Sequence, residues 1–223
     1  MTDASLNQPS QPSGQSRIDQ LTASPRVFEN PLLDKLSRVH WTFPLVYLPF
    51  AAWMIYAAVP RMSVLALVGM IVLGYFIWTF CEYLFHRYLF HWEPPGKLGE
   101  RIHFLLHGIH HVHPSDPLRL VMPPLMSVPM IVIAWFVATL LFGADYRLPA
   151  MAGFIVGYVI YDEIHYHIHH RTPRTKIEAT LRRLHMLHHF RDPDRGYGVS
   201  APWWDYVFGT AYTKADKPGS KAL

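Results

Sequence analysis

Ten of the chain's fifteen histidines fall into four tight groups. His107, His110 and His111 stand together in HGIHH, and His185, His188 and His189 repeat the spacing in HMLHH. His86 and His91 bracket HRYLFH, and His165 and His169 bracket HYHIH. On a helix, positions i, i+3 and i+4 share one face, so each triple aims three imidazoles the same way. One such histidine alone is usually a packed or solvated side chain; a repeated one-face triple is a metal-binding pattern. Imidazole suits iron, zinc and copper. Ten ligands exceed what one ordinary mononuclear site uses, whereas two ions with about five each would use them all. His165 and His169 can share a face, and each triple can divide between two neighbouring metals. His86 and His91 are harder to place. Five residues turn a regular helix by about 140°, so either the two serve different metals or the helix unwinds before Pro94-Pro95.

A shell of nitrogens without thiolates fits iron, zinc or copper better than magnesium or calcium. Cys81 is the only cysteine, which rules out an internal disulfide and a thiolate zinc cluster. Two irons beside a membrane would suit oxygen activation on a lipid. An unactivated C–H bond resists acid–base chemistry, and redox-inert zinc cannot attack it.

The elements that must carry these residues are apolar helices. Hydrophobic residues make up 51% of the chain and charged residues 16%, ordinary for a membrane enzyme with polar loops. Spans are expected over about 41–59, 63–85, 125–142 and 148–161, pairing as two hairpins through the short connections Pro60-Arg61-Met62 and GADYR. Pro44 and Pro49 should kink the first span or shift its start. The fourth span is short and runs into Asp162-Glu163-Ile164-His165, so its helix should project beyond the membrane. Eighteen of the twenty Lys and Arg lie on one side of this arrangement, which predicts that both termini and all four histidine groups are cytoplasmic. The basic pI then reflects a membrane surface rather than nucleic acid, for which no motif is present. Residues 1–28, rich in Ser, Gln and Pro, should be a disordered tail and not a secretory signal, followed by a membrane domain over 29–212 and a short tail over 213–223. The predicted fold is all-α: four membrane helices under a cytosolic helical cap that holds a dimetal site. Thr175 to Phe190 reads as one helix of that cap.

EYLFHRYLFHWEPP (82–95), HFLLHGIHH (103–111), DPLRLVMPP (116–124), YDEIHYHIH (161–169), LHMLHHF (184–190) and GYGVSAPWWDY (196–206) resemble the fatty acid hydroxylase superfamily, and most closely its fatty acid 2-hydroxylases acting on sphingolipid acyl chains. The resemblance covers about residues 40–212, in order. It implies a dimetal centre ligated by His86, His91, His107, His110, His111, His165, His169, His185, His188 and His189. It also implies oxygen-dependent hydroxylation at C2 of a long acyl chain, with two iron ions as cofactor; zinc can occupy such an all-imidazole site in a purified sample. Eukaryotic members often carry an N-terminal cytochrome b5 domain, for which this N-terminus is too short and lacks a haem motif. A separate electron donor is therefore expected, whether cytochrome b5-like, a ferredoxin or a reductase.

Around the ligands, Glu82 and Asp162 are candidates to orient His86 and His165, with helix capping or snorkelling the other role open to Glu82. His103 is a candidate for a supporting or packing role. Arg119 is either a lipid head-group contact or the partner of Asp116 in a loop ion pair. His113, His167 and His170 fall outside the pattern and should be solvated or locally bonded, and His40 should be interfacial. Trp204-Asp205 should close the cap structurally. A sterol, carotenoid or other lipid as substrate is the competing reading within the same chemistry. A membrane metal-binding or transport protein is the competing class, disfavoured because ionisable residues gather at the span ends rather than through the spans.

Overall fold

The computed structural model describes residues 16–213, and all its regular elements there are helical. Three helices are long and apolar enough to cross a membrane: Phe43–Arg61, Val64–Phe90 and Pro124–His170. The first opens as a 3-10 turn over Phe43–Tyr47 before helix α3 (Leu48–Ala58). Pro44 and Pro49 each occupy the first turn of one of these pieces, where a missing N–H costs nothing, so they set the start and do not break the span. Helix α4 (Val64–Leu84) is capped by the Ser63 side chain, which accepts from the N–H of Ala66. It continues as a π-helical segment over Phe85–Phe90.

The third run, α7 (Pro124–His170), has a single non-helical residue, Gly143, at φ 69° and ψ −176°. The left-handed φ is open to glycine without strain. There the chain folds back. The N–H of Met122 donates to the Asp162 carboxylate, and the Arg147 guanidinium donates to Thr139 Oγ1 while lying over the Trp135 ring. The reversal therefore takes one residue, where five were expected to form the connection, and the second limb continues helical through His165 and His169 to His170. At the same end of the bundle Arg61 pairs with Asp145 at 3.5 Å.

Helix α4 packs against the second limb of α7 through small residues. A Cβ added to Gly74 would lie 1.9 Å from the carbonyl oxygen of Ala150, and one added to Gly153 would lie 1.9 Å from that of Ile71. Gly153 and Gly157 form a small-xxx-small pattern, GFIVG, that lets two apolar backbones approach, and Trp78 fills the space over Gly157. The resulting core joins Trp78, Met151, Ile155 and Tyr158.

The opposite end carries short helices: α5 (Gly96–His103), a second π-helical segment over Phe104–Gly108, α6 (Ile109–Val112), α8 (Lys176–Phe190) and α9 (Trp203–Val207). Trp204 Nε1 donates to Thr79 of α4, and the Asp205 carboxylate gathers the N–H groups of Tyr197 and Gly198 and the hydroxyl of Thr210. The expected structural role of this pair is what the contacts show.

Residues 16–28, expected to be part of a disordered tail, are instead ordered. Helix α1 (Arg17–Thr22) begins with a capping box between Ser16 and Asp19, and α2 (Pro31–Leu36) follows, capped by Asn30. The segment is strapped to the loop after α6 by Ser115 N–H to the Leu21 carbonyl, His113 to the Gln20 carbonyl, and Val39 N–H to the Leu118 carbonyl. Composition suggested disorder because it weighs Ser, Gln and Pro together and overlooks the S-x-x-D cap. The expectations for residues 1–15 and 214–223 lie outside the described residues.

Candidate metal centre

The ten clustered histidines form two groups of five, and within each group the ligand atoms lie within 4.8 Å of one another. His86, His91, His107, His111 and His188 make the first; His110, His165, His169, His185 and His189 make the second. Each triple is divided, in opposite senses. His107 and His111 join the first group and His110 the second, whereas His185 and His189 join the second and His188 the first. The spacing explains the split: i and i+4 project together, and the i+3 residue leans to the adjoining position.

His86 and His91 meet in one group by a route that the regular-helix argument did not contain. The N–H of His91 bonds to the carbonyl of His86 at 3.3 Å, an i to i+5 turn. The helix neither unwinds nor sends the pair to different groups; it widens by one residue per turn, as π-bulges at functional sites do.

The nitrogens fit metal ions better than they fit one another. His86 and His107 Nε2 are 3.1 Å apart, His91 and His188 Nε2 3.0 Å, and His185 Nε2 lies 2.9 Å from that of His165 and 3.0 Å from that of His189. A neutral imidazole has one N–H, so such a chain cannot satisfy every nitrogen, and His111 Nε2 and His169 Nε2 are buried without any partner. Ligands 2.0–2.1 Å from one ion at right angles stand about 3 Å apart, which matches these contacts. Outer bonds fix the tautomers. His86 Nδ1 donates to the carbonyl of Tyr197 at 2.7 Å and His188 Nδ1 to that of Arg195 at 2.8 Å, turning both Nε2 atoms inward. Burial, with the repulsion among adjacent imidazoles, lowers the pKa of His91 to about 3 and of His111 to about 2, and burial lowers His188 to about 4. His107, His110, His185 and His189 are pushed well down for the same reasons. Neutral imidazole is the ligating form.

The residues considered as supports are engaged elsewhere. Glu82 is buried but accepts from the N–H and hydroxyl of Ser200, so it anchors the loop that presents the Tyr197 carbonyl and does not touch His86. Asp162 accepts from the N–H of Met122, and His165 Nδ1 finds no partner. In both cases the partner comes from a distant loop, which helical spacing cannot reveal. His103 bonds the Trp92 carbonyl at 3.2 Å and stays outside both groups. Arg119, considered as a head-group contact, is held in an ion-pair cluster at the edge of the narrow space beside the histidines. Its side chain is 4% exposed and donates to Asp34, Asp116, Ser24 and Ser37, tying the N-terminal strap to the loop; the Asp116 pairing is the other role the sequence had left open. His113 and His167 bond backbone carbonyls, His170 stacks on Tyr166, and His40 bonds Thr42.

Residues 71–210 match the model of the fatty acid hydroxylase family. The chain belongs to that family. Among its curated members, the dihydroceramide fatty acyl 2-hydroxylase FAH1 of Arabidopsis thaliana is 38% identical over 191 residues, an overlap of 85% of this chain and 81% of that one. The ceramide very long chain fatty acid hydroxylase SCS7 of Saccharomyces cerevisiae is 36% identical over 87% of this chain but only 51% of its own. A solved structure of full-length scs7p, in which only the hydroxylase domain is visible, superposes with a TM-score of 0.79 at 35% identity, covering 87% of this chain and 74% of that one.

This fatty acid hydroxylase also has a feature that reading the motifs did not single out. An apolar cavity of about 510 Å³ lies between α4 and the limbs of α7, running from Leu141 and Phe142 to Phe90, Leu106 and Met122. A smaller space of about 90 Å³ shares Phe90, Leu106, Met122 and Met126 with it and reaches His107, His110 and His165. The small residues Ala134 and Ala138, one helical turn apart in the third span, were the available signal for a channel there.

Proposed function

We propose that this protein is a membrane-bound, oxygen-dependent hydroxylase that places a hydroxyl group on C2 of a lipid acyl chain, either a fatty acid or an N-acyl sphingolipid. The observation that carries the reading is the apolar cavity that narrows into the histidine cluster. The wide part is lined by apolar side chains and Cys81, whereas the narrow part also meets Ser37, Arg119, Asp162, His107, His110 and His165, so an acyl tail fits the wide part and the carbonyl end fits the narrow part. A carbon near the carbonyl is then the one held beside the histidines, as the names of the 2-hydroxylase relatives lead one to expect.

The two groups of five histidines would hold two ions, and the chemistry calls for iron: a redox metal supplies the oxidising power that putting an oxygen atom from dioxygen into a C–H bond requires, which zinc lacks. The chain's own residues do the rest. Tyr197 and Arg195 fix the imidazoles through their carbonyls. Phe90, stacked at 5.4 Å on His107, and Met122 exclude water from the carbon to be oxidised. The walls of α4 and α7 restrict the chain to few poses, which converts binding into orientation. We place both termini and the histidine end in the cytoplasm, with four crossings made by α3, α4 and the two limbs of α7, because eighteen of twenty Lys and Arg lie on that side. The electrons come from a separate donor.

The deciding experiment is expression in a host that lacks 2-hydroxy lipids, followed by lipid mass spectrometry. Acyl chains gaining one oxygen at C2 are expected. Hydroxylation only at another carbon, or only on a sterol or carotenoid, would displace the reading.

A further inference from the structure

Helix α8 separates the histidine groups from the exterior by the thickness of one helix, about 10–12 Å with its side chains. Its inner face carries His185 and His188, at 1% and 0% exposure, and His189. At about 100° per residue, these three stand about 140° to 240° around the axis from Arg183. Lys176, Arg183 and Phe190 are spaced seven apart and form one outer stripe within about 40°. All three are exposed, as are Ala179 and Thr180 beside them. Phe190 is half exposed and its ring centroid is 5.9 Å from that of His189.

The charge on this stripe is uncompensated. Neither Lys176 nor Arg183 meets a carboxylate among the described residues. The acidic neighbours are already occupied: Glu178 lies toward the inner side and accepts from the N–H of Arg174, and Asp192 pairs with Arg195. An exposed aromatic ring beside a ligand, continued along the helix by two unpaired cations, offers an apolar contact at one end of the stripe and charged contacts along the rest.

The reading of the protein as a hydroxylase, on which this inference rests, supplies the need for such an interface. The overall change is R–H + O2 + 2 e− + 2 H+ → R–OH + H2O. A C–H bond breaks, a C–O bond forms, and the second oxygen atom leaves as water. The lipid provides two of the four electrons that dioxygen takes, and the other two arrive from outside. Electron transfer through protein falls steeply with distance, so the donor must come where the intervening layer is thinnest.

We propose that the outer face of α8 docks a small acidic one-electron carrier protein, which binds twice per turnover, with Phe190 anchoring the end of the contact nearest His189 and Arg183 and Lys176, farther along the stripe, pairing with its carboxylates. Such encounters are small and weak, and charge mainly sets their rate and specificity.

The test uses the metal-loaded protein in detergent and its Lys176→Glu, Arg183→Glu double variant, first checked for equal metal content and thermal midpoint. Two purified acidic carriers serve as probes: a plant-type [2Fe–2S] ferredoxin and the soluble haem domain of cytochrome b5. At least one should bind the native protein with an affinity that falls as salt rises, and bind the double variant at least about tenfold more weakly, a difference of 1.4 kcal/mol. Product formation driven by that carrier should fall in step, while product formed with dithionite-reduced methyl viologen should be equal in the two proteins. Equal binding of native and variant proteins, salt-independent binding, or binding of neither carrier to the native protein would overturn the docking surface. Absence of product with methyl viologen in both proteins would instead count against the hydroxylase reading, with the binding comparison still deciding the surface.

Discussion

The N–H of His91 is bonded to the carbonyl of His86, and this single i to i+5 turn brings two imidazoles to one side of a helix with ring centroids 5.1 Å apart. In a regular α-helix the residue one turn beyond His86 would be Phe90. The π turn therefore gives a sharp expectation. His91→Ala should release the ion held by the first group and abolish product. Adding Phe90→His, the replacement that α-helical spacing would favour, should not restore either. Metal content per folded chain, measured beside product, is the readout; full recovery in the double variant would mean that the segment is an ordinary helix in the working protein.

The close approach of α4 and α7 predicts a contrast between glycines. Gly153→Leu places a side chain where the carbonyl of Ile71 already sits, and should destabilise the bundle by at least about 3 kcal/mol, the upper end for overpacked cores. Gly69→Ala, with nothing within 4 Å of the added Cβ, should be neutral or stabilise by up to about 1 kcal/mol. Thermal unfolding in detergent separates the two. Similar midpoints would show that the helices do not cross at these residues.

Much of this was legible in the chain, for reasons that particular residues make clear. The repeated H-x-x-H-H marked its own helices and its own faces, because three ligands within one turn are a local pattern. The division of each triple was open as a possibility, but which group receives His188 depends on where α8 lies against the other elements, which no local spacing states. Glu82 and Asp162 were recognisable as acids near ligands, yet their partners, Ser200 and Met122, lie 118 and 40 residues away. Arg119 offered two roles from sequence, and only the arrival of Asp34 from the N-terminal strap selects the buried one.

That strap makes Arg119 a stability residue. Arg119→Met would leave Asp34 and Asp116 facing each other without the cation between them, and one of them is only 3% exposed in its side chain. Removing one partner of a buried ion pair is far more harmful than never having had it. A thermal midpoint lower by several degrees is expected, with metal content and product per folded molecule retained at low temperature. Unchanged stability with selective loss of lipid binding would return Arg119 to the head-group role.

The cavity predicts control of chain length. Ala138 is 6% exposed and lines the wide part toward the Gly143 end. Ala138→Phe should shorten the acyl chains that are accepted, with the longest native products reduced about tenfold or more relative to short ones, since a hydrophobic pocket discriminates by about 1–3 kcal/mol for each methylene that does not fit. Competition between mixed-length substrates, read by mass spectrometry, gives the ratio directly. A uniform loss across all lengths would mean that the tail lies elsewhere.

The crossed division of the two triples has a consequence for how the protein comes to maturity. The segment from Phe104 to Val112 and helix α8 each contribute to both groups of five, so the two ion positions are laced together by the same pair of elements. The first ion to arrive would clamp these elements and thereby complete the second set of nitrogens, sparing the next ion the entropy of assembling it. Loading becomes a joint event, and chains carrying a single ion should be scarcer than independent filling would leave them.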